Sequence, residues 1–204
     1  MHKNIYIVRH GQTDYNKQHI VQGSGVDSSL NDTGRQQAQA FYQKYQSIDF
    51  DVVLTSKLVR THQTMSGFIE DGLPWEQFAE INEMGWGIHE GKKSSPAMMA
   101  EYRAMTKAWQ QGDYDARITG GESAFELSDR LRNFVGHLKA RSESNLLICS
   151  HGRAMRCLMT ILNQVELHQM DQFPHANTGL YLVNYQPDLF HFKLENDLSH
   201  LEES

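Results

Sequence analysis

Short apolar runs alternate along this chain with longer stretches in which apolar side chains recur every three to four positions. Residues 4–8 (NIYIV), 51–55 (DVVLT) and 145–149 (NLLIC) read as buried strands. Helical spacing marks the segments between them. Asn31 or Thr33 is placed to cap a helix carrying Ala38, Phe41, Tyr42 and Tyr45. A second helix is expected over about 57–69 with Ser56 as its N-cap. A third is expected over 96–110, where Met98, Met99, Tyr102, Met105 and Trp109 read as packing residues and not as a cofactor box. Ser123 and Glu126 fit a capping box ahead of Leu127, Leu131, Phe134, Val135 and Leu138 on one helical face. Met155, Leu158, Met159 and Leu162 mark a further helix. Residues 179–185 and 189–194 read as two strands joined by a turn at Gln186, Pro187 and Asp188. Residues 12–30 are polar and rich in Gly and Ser, a functional loop with some helical turns, and residues 80–95 are Gly-rich and irregular.

Strands alternating with amphipathic helices predict an α/β fold with a mainly parallel central sheet flanked by helices. A single domain over 1–204 is expected, with a helical insertion around 78–119 that covers the edge of the sheet. Hydrophobic residues make up 39% and charged residues 22%, a globular composition. No run approaches the ~20 apolar residues of a membrane helix. The first residues pass straight into a strand without a secretory leader, so the cytoplasm is the default compartment. A net charge of −6 argues against a general nucleic-acid partner, and any anion site must come from locally focused charge. The two cysteines, Cys149 and Cys157, form no C-x-x-C pair and read as buried thiols.

Polar groups follow each buried strand directly: Arg9-His10-Gly11, residues 56–60, and Ser150-His151-Gly152. In open α/β sheets ligands bind outside the carboxyl ends of the strands, so Arg9, His10, Arg60 and His151 are expected at one rim. Two arginines and two histidines together suit a phosphate group, because the guanidinium fork matches phosphate oxygens. A metal site is disfavoured. The chain has 11 histidines but no H-E-x-x-H, and the arginines would repel a cation.

Val8-Arg9-His10-Gly11-Gln12-Thr13 with Asn16 resembles the signature of the histidine phosphatase superfamily, also called phosphoglycerate mutase-like. Four further segments follow in that family's order. They are residues 30–38 (LNDTGRQQA), residues 55–64 around Arg60, Ile81-Asn82-Glu83 with Gly87 and Glu90-Gly91, and Ser150-His151-Gly152 with Arg156. The resemblance runs from Ile5 to about Leu162.

The resemblance implies a phosphomonoesterase of the histidine acid phosphatase type, acting on a small phosphorylated metabolite without cofactor or metal. His10 would be the nucleophile and would form phosphohistidine. It would be neutral, with one ring nitrogen held, as by a backbone carbonyl, and the other free. Arg9, Arg60 and a cationic or donating His151 would surround the transferring oxygens. Glu83 would be the general acid and then the base, with Glu90 and Glu122 as competing carboxylates. Asn16, Gln22 and Thr13 would hold substrate oxygens, with Gly152 beside His151. Arg153 would either meet a second anionic group or lie on the surface, and His89 falls outside the pattern. A cofactor-dependent mutase is the alternative, and a catalytically idle phospho-ligand binder is a third reading. Met84 follows Glu83, and Arg103 and Arg117 stand apart, so the arginine clamp of the mutases is missing. A homo-oligomer and the natural substrate are left open by the sequence.

Overall fold

Period-two alternation sends the side chains of each central strand into two separate cores. The computed structural model describes residues 2–187 and 189–202. In chain order its elements are β1 (Lys3–Arg9), α1 (Asp14–Lys17), α2 (Asp32–Tyr45), β2 (Val52–Thr55), α3 (Val59–Thr64), α4 (Ser66–Glu70) and β3 (Trp75–Gln77). Then come α5 (Pro96–Gln110), α6 (Ala124–Ala140), β4 (Asn145–Ser150), α7 (Gly152–Leu162), β5 (Leu180–Gln186) and β6 (Leu189–Asp197). Ile5, Ile7, Val52, Leu54, Leu146 and Ile148 pack against residues of α5, α6 and α7. Val8, Val53, Leu147 and Cys149 face Phe41, Tyr45 and Phe68 of α2 and α4 on the opposite side. The result is a three-layer α/β fold, as the alternating pattern predicts.

The sheet order is β3-β2-β4-β1-β5-β6. The first four strands are mutually parallel, β5 runs antiparallel to β1, and β6 antiparallel to β5. Register aligns the strand ends: Arg9 pairs with Ser150, and Thr55 with Cys149. His10, Ser56 and His151 therefore follow at one rim. Because β5 is reversed, its beginning lies at that same rim, with Leu180 paired to Val8.

Several expectations change locally. The helix expected over about 57–69 is two short ones, broken at Met65. Thr64 Oγ1 donates back to the Arg60 carbonyl at 2.6 Å, a bond that competes with the regular ladder and bends helices. Ser56 is not the N-cap: Leu58 holds that position without a side-chain bond, and Asp27 accepts the Val59 N–H at 2.7 Å instead. The segment 78–119 does not cover the edge of the sheet. β3, the edge strand, is exposed at all three residues. α5 packs against the 3-10 turn Leu167–Gln172, and its Tyr102 and Trp109 lie beneath Arg153 of α7. Met105 and Trp109 are buried, but Met98 is only half-buried and Met99 exposed. Asp188 of the expected turn lies outside the described residues.

Candidate active site

Two backbone bonds tie the rim together: His10 N–H donates to Ser150 O at 3.0 Å, and Ser56 N–H to Cys149 O at 3.3 Å. His10 is 3% exposed. Its Nδ1 lies 2.7 Å from the Gly11 carbonyl, which accepts only, so Nδ1 carries the proton. Nε2 is then the ring nitrogen that keeps a free lone pair. Burial, then Arg60 and Arg9, lower the His10 pKa well below the ordinary value of 6.5. Both effects favour the neutral ring.

His151 has its ring centroid 5.1 Å from that of His10 but is bonded differently. Arg60 Nε donates to its Nδ1 at 3.1 Å, so Nε2 carries the proton and gives it to Ser56 Oγ at 2.8 Å. Burial, followed by Arg60, holds this ring neutral too. Of the cationic or donating His151 expected from the sequence, the structure shows the donor, Nε2–H toward Ser56 Oγ, while a guanidinium on Nδ1 and burial both oppose a second proton.

Arg60 is 0% exposed. Besides His151 it donates to the Val26 carbonyl at 2.7 Å. Arg9 donates to the His175 carbonyl at 2.9 Å, and its buried Nε has no protein partner. Burial pulls the Arg9 pKa down to about 10, with Glu83 opposing, and lowers that of Arg60; both stay charged at neutral pH. Glu83 is buried at the start of α7, where Oε1 accepts from Met84 N (2.8 Å) and Ala154 N (3.0 Å) and Oε2 from Arg153 N (3.2 Å). Oε2, with its single long bond, is the oxygen freer to carry a proton.

The competing carboxylates are engaged elsewhere. Glu122 is clamped by Arg130 through bonds of 2.6 and 2.9 Å, and Glu90 accepts from Trp86 N at 2.8 Å and packs against Gly23 and Gly25. Thr13 is fully buried. Its hydroxyl caps α1, donates to Asn16 Oδ1 and accepts from Gln22 Nε2, which leaves it nothing to offer a substrate. Asn16 and Gln22 are thus positioned by Thr13, with amide N–H groups to spare. Gly152 leaves room for His175: a Cβ there would sit 3.0 Å from that ring. Arg153 is no surface residue. It is 7% exposed, bonded to Asp171 at 2.8 Å and to the Tyr102 hydroxyl. His89 is buried and paired with Glu101 at 2.8 Å.

Four residues were missed. Ser56 and Thr64 fix His151 and the Gly11 N–H. His175 lies against Arg9, and Asn177 Nδ2 donates to the His10 carbonyl at 2.9 Å. The polar stretch before residue 180 was the available signal for the last two. The loop after His10 is also locked to α2 by glycine: a Cβ on Gly34 would lie 2.0 Å from the Gln12 carbonyl, and one on Gly11 2.6 Å from that of Gly34. Among the described residues, no group of three His, Cys, Asp or Glu is placed to hold a metal ion, and no helix is long and apolar enough to cross a membrane.

The profile of the histidine phosphatase superfamily (branch 1) matches residues 5–198. The chain belongs to the histidine phosphatase superfamily. A relative from Salmonella choleraesuis (strain SC-B67), named "Probable phosphoglycerate mutase GpmB", is 29% identical over 184 residues, covering 89% of this chain and 85% of the relative. Among solved structures, the α-ribazole phosphatase from Shigella flexneri superposes with a TM-score of 0.83 at 25% identity, over 95% of this chain and 96% of the other. Bacillus stearothermophilus YhfR gives 0.84 at 24% identity, over 98% and 99%. Within this histidine phosphatase fold, the five central residues Arg9, His10, Arg60, Glu83 and His151 gather from the ends of three parallel strands and the loop before α5.

Proposed function

We propose that the protein is a phosphomonoester hydrolase that works through a phosphohistidine on His10. The observation that carries this reading is the His10 tautomer: Nδ1–H held by the Gly11 carbonyl, in a buried ring whose proton affinity Arg60 and Arg9 lower further. The Nε2 lone pair attacks phosphorus, and the ester P–O bond breaks. The departing alcohol oxygen takes a proton from Glu83, while Arg9 and Arg60 offset the charge on the equatorial oxygens. Water then attacks the phosphohistidine, Glu83 takes its proton, the P–N bond breaks and phosphate leaves. Since arginine supplies the positive charge, turnover should persist in excess EDTA. Rapid alkaline quench of the enzyme with p-nitrophenyl phosphate, followed by peptide mass spectrometry, tests the reading. One phosphoryl group on the peptide containing His10 is expected. Phosphate release without it, or no release from any phosphomonoester, would overturn it.

The name of the Salmonella relative favours a second reading, phosphoglycerate mutase. Against it, Met84 fills the position after Glu83 and is buried, and Arg153, the candidate to restore a clamp, is already bonded to the Tyr102 hydroxyl and to Asp171, which Arg156 shares. Given 3-phosphoglycerate with catalytic 2,3-bisphosphoglycerate, the enzyme should release phosphate faster than it forms 2-phosphoglycerate. Isomerisation outrunning hydrolysis about a hundredfold would reverse the choice; that ratio corresponds to about 2.7 kcal/mol between the two fates.

A further inference from the structure

A cavity of about 230 Å³ opens between the loop that follows His10, the segment that follows Glu83, and α5. Its walls include Val21, Gln22, Trp86, Met98, Met99 and Tyr102. Two of these connect it to the chemistry. Gln22 donates to Thr13 Oγ1, within the loop that follows His10. The Tyr102 hydroxyl bonds Arg153, whose backbone N–H holds Glu83 Oε2. Glu83 protonates the departing oxygen, and the cavity is walled by the chain that follows Glu83 and the chain that follows His10, which puts it within the loop cluster where the alcohol portion of a substrate leaves. We propose that the cavity receives the leaving group, and that it selects monoesters of apolar, ring-bearing alcohols over esters with a second anionic group. This rests on the phosphohydrolase reading and names its substrate class.

Three observations support the selection. The lining is aromatic and thioether-rich, with Trp86 and Tyr102 ring centroids 5.9 Å apart, and Met99 is 39% exposed, more than a packing role requires. No lining residue brings an unpaired cation. The base in the wall, His89, is tied to Glu101, and Arg153, which shares Asp171 with Arg156, lies behind Tyr102 and outside the lining. Lys92 and Lys93 are exposed and lie outside the lining. The wall is also preformed: Val21 N–H donates to Lys92 O at 3.0 Å, Gly91 N–H to Val21 O at 2.9 Å, and Ser94 N–H to His19 O at 2.9 Å. The volume is below the roughly 300–1,000 Å³ of drug-sized pockets, which suits one or two fused rings.

The test compares 2-(1-naphthyl)ethyl phosphate, ethyl phosphate and 3-phosphoglycerate as substrates of the full chain. The first two leave alkoxide oxygens of similar basicity, so a difference reports binding of the alcohol portion. We expect kcat/KM about thirtyfold higher for the naphthyl ester, most of it in KM, from the apolar carbons buried. 3-Phosphoglycerate should be no better than ethyl phosphate. The double variant Met98→Gln, Met99→Gln keeps side-chain length but adds polar groups to the wall. It should cut the naphthyl preference about tenfold and leave ethyl phosphate within about twofold. Calorimetric binding of the matching naphthylethyl and ethyl phosphonates gives a readout without turnover. Naphthyl preference in binding with no hydrolysis would keep the cavity assignment and overturn the hydrolase. Hydrolysis with equal kcat/KM for the two esters, 3-phosphoglycerate as the best substrate, or equal loss of both esters in the variant would overturn the cavity assignment.

Discussion

His10 and His151 occupy equivalent places at the ends of two neighbouring parallel strands, yet they are held in opposite tautomers. His10 gives its Nδ1 proton to a carbonyl and keeps Nε2 free. His151 has Nδ1 blocked by Arg60 and spends its Nε2 proton on Ser56. Both rings are buried, and burial leads the lowering of both pKa values, so depth alone does not distinguish them. What differs is the partner of Nδ1: a carbonyl on one side and a guanidinium on the other. On the reading proposed above, hydrogen-bond polarity is what separates the ring that attacks from the ring that is held.

The largest effect should come from His10→Ala, which removes the nucleophile and lowers kcat by on the order of 10⁴–10⁶. Mass spectrometry of that variant with substrate sharpens the contrast, since His151 should stay unphosphorylated. Phosphoryl transfer to His151 would break the tautomer argument. Arg60→Ala should lower kcat/KM by on the order of 10²–10³, as for loss of one preorganised donor. The same substitution releases His151 Nδ1, so the His151 pKa followed by NMR should rise; an unmoved value would mean that Arg60 does not set its tautomer. Ser56→Ala removes the acceptor of the Nε2 proton together with the bonds of the same hydroxyl to Leu58 N and Thr61 Oγ1. A fall in kcat of about threefold to tenfold and a stability loss of ~1 kcal/mol are expected, read by kinetics and denaturant titration.

The smallest effect per substitution is in the pH profile. His10 must be neutral to attack, and its pKa lies well below 6.5, so the acid limb of kcat/KM should fall below pH 6.5. Arg60→Ala should move that limb upward. Stability has its own window. Buried neutral histidines, with His175 held down to about 3 by burial and then Arg9, bind protons only on unfolding below pH 6.5. Their stabilisation is complete above the unfolded pKa and is lost as pH falls from 6.5 toward the folded values. Melting temperature should therefore drop between pH 6.5 and 4. A melting temperature that is flat across that range would contradict the buried neutral state.

Much of this is legible in the sequence. Apolar runs of strand length ending in Arg-His-Gly and Ser-His-Gly place the histidines at a parallel rim, and the Ile81-Asn82-Glu83 segment points to the acid. The rest was hidden for identifiable reasons. His175 and Asn177 precede a strand, and nothing in the residues of β5 says that it runs antiparallel, which is what brings its start to the site. Ser56 looked like a helix cap because Ser before a helical pattern usually is one. Only the tertiary approach of His151 gives it another partner. Thr64 is an unremarkable helical residue until its hydroxyl is seen bonded at once to the Arg60 carbonyl and the Gly11 N–H. Thr13 carried the family motif but spends its hydroxyl inside the loop.

The paired glycines at 11 and 34 leave no side-chain cushion between the nucleophile loop and the first turn of α2. Backbone meets backbone there, and Asn31 N–H donates to the Gln12 carbonyl at 3.0 Å across the same seam. Two segments joined in this way have no soft layer in which one can shift while the other stays. They should open and close as one unit, so the amides of Gln12, Asn31 and Arg35 should exchange with solvent hydrogen at a common rate. Any side chain placed at position 34, though it touches no substrate, would wedge the seam and tilt the loop that carries His10.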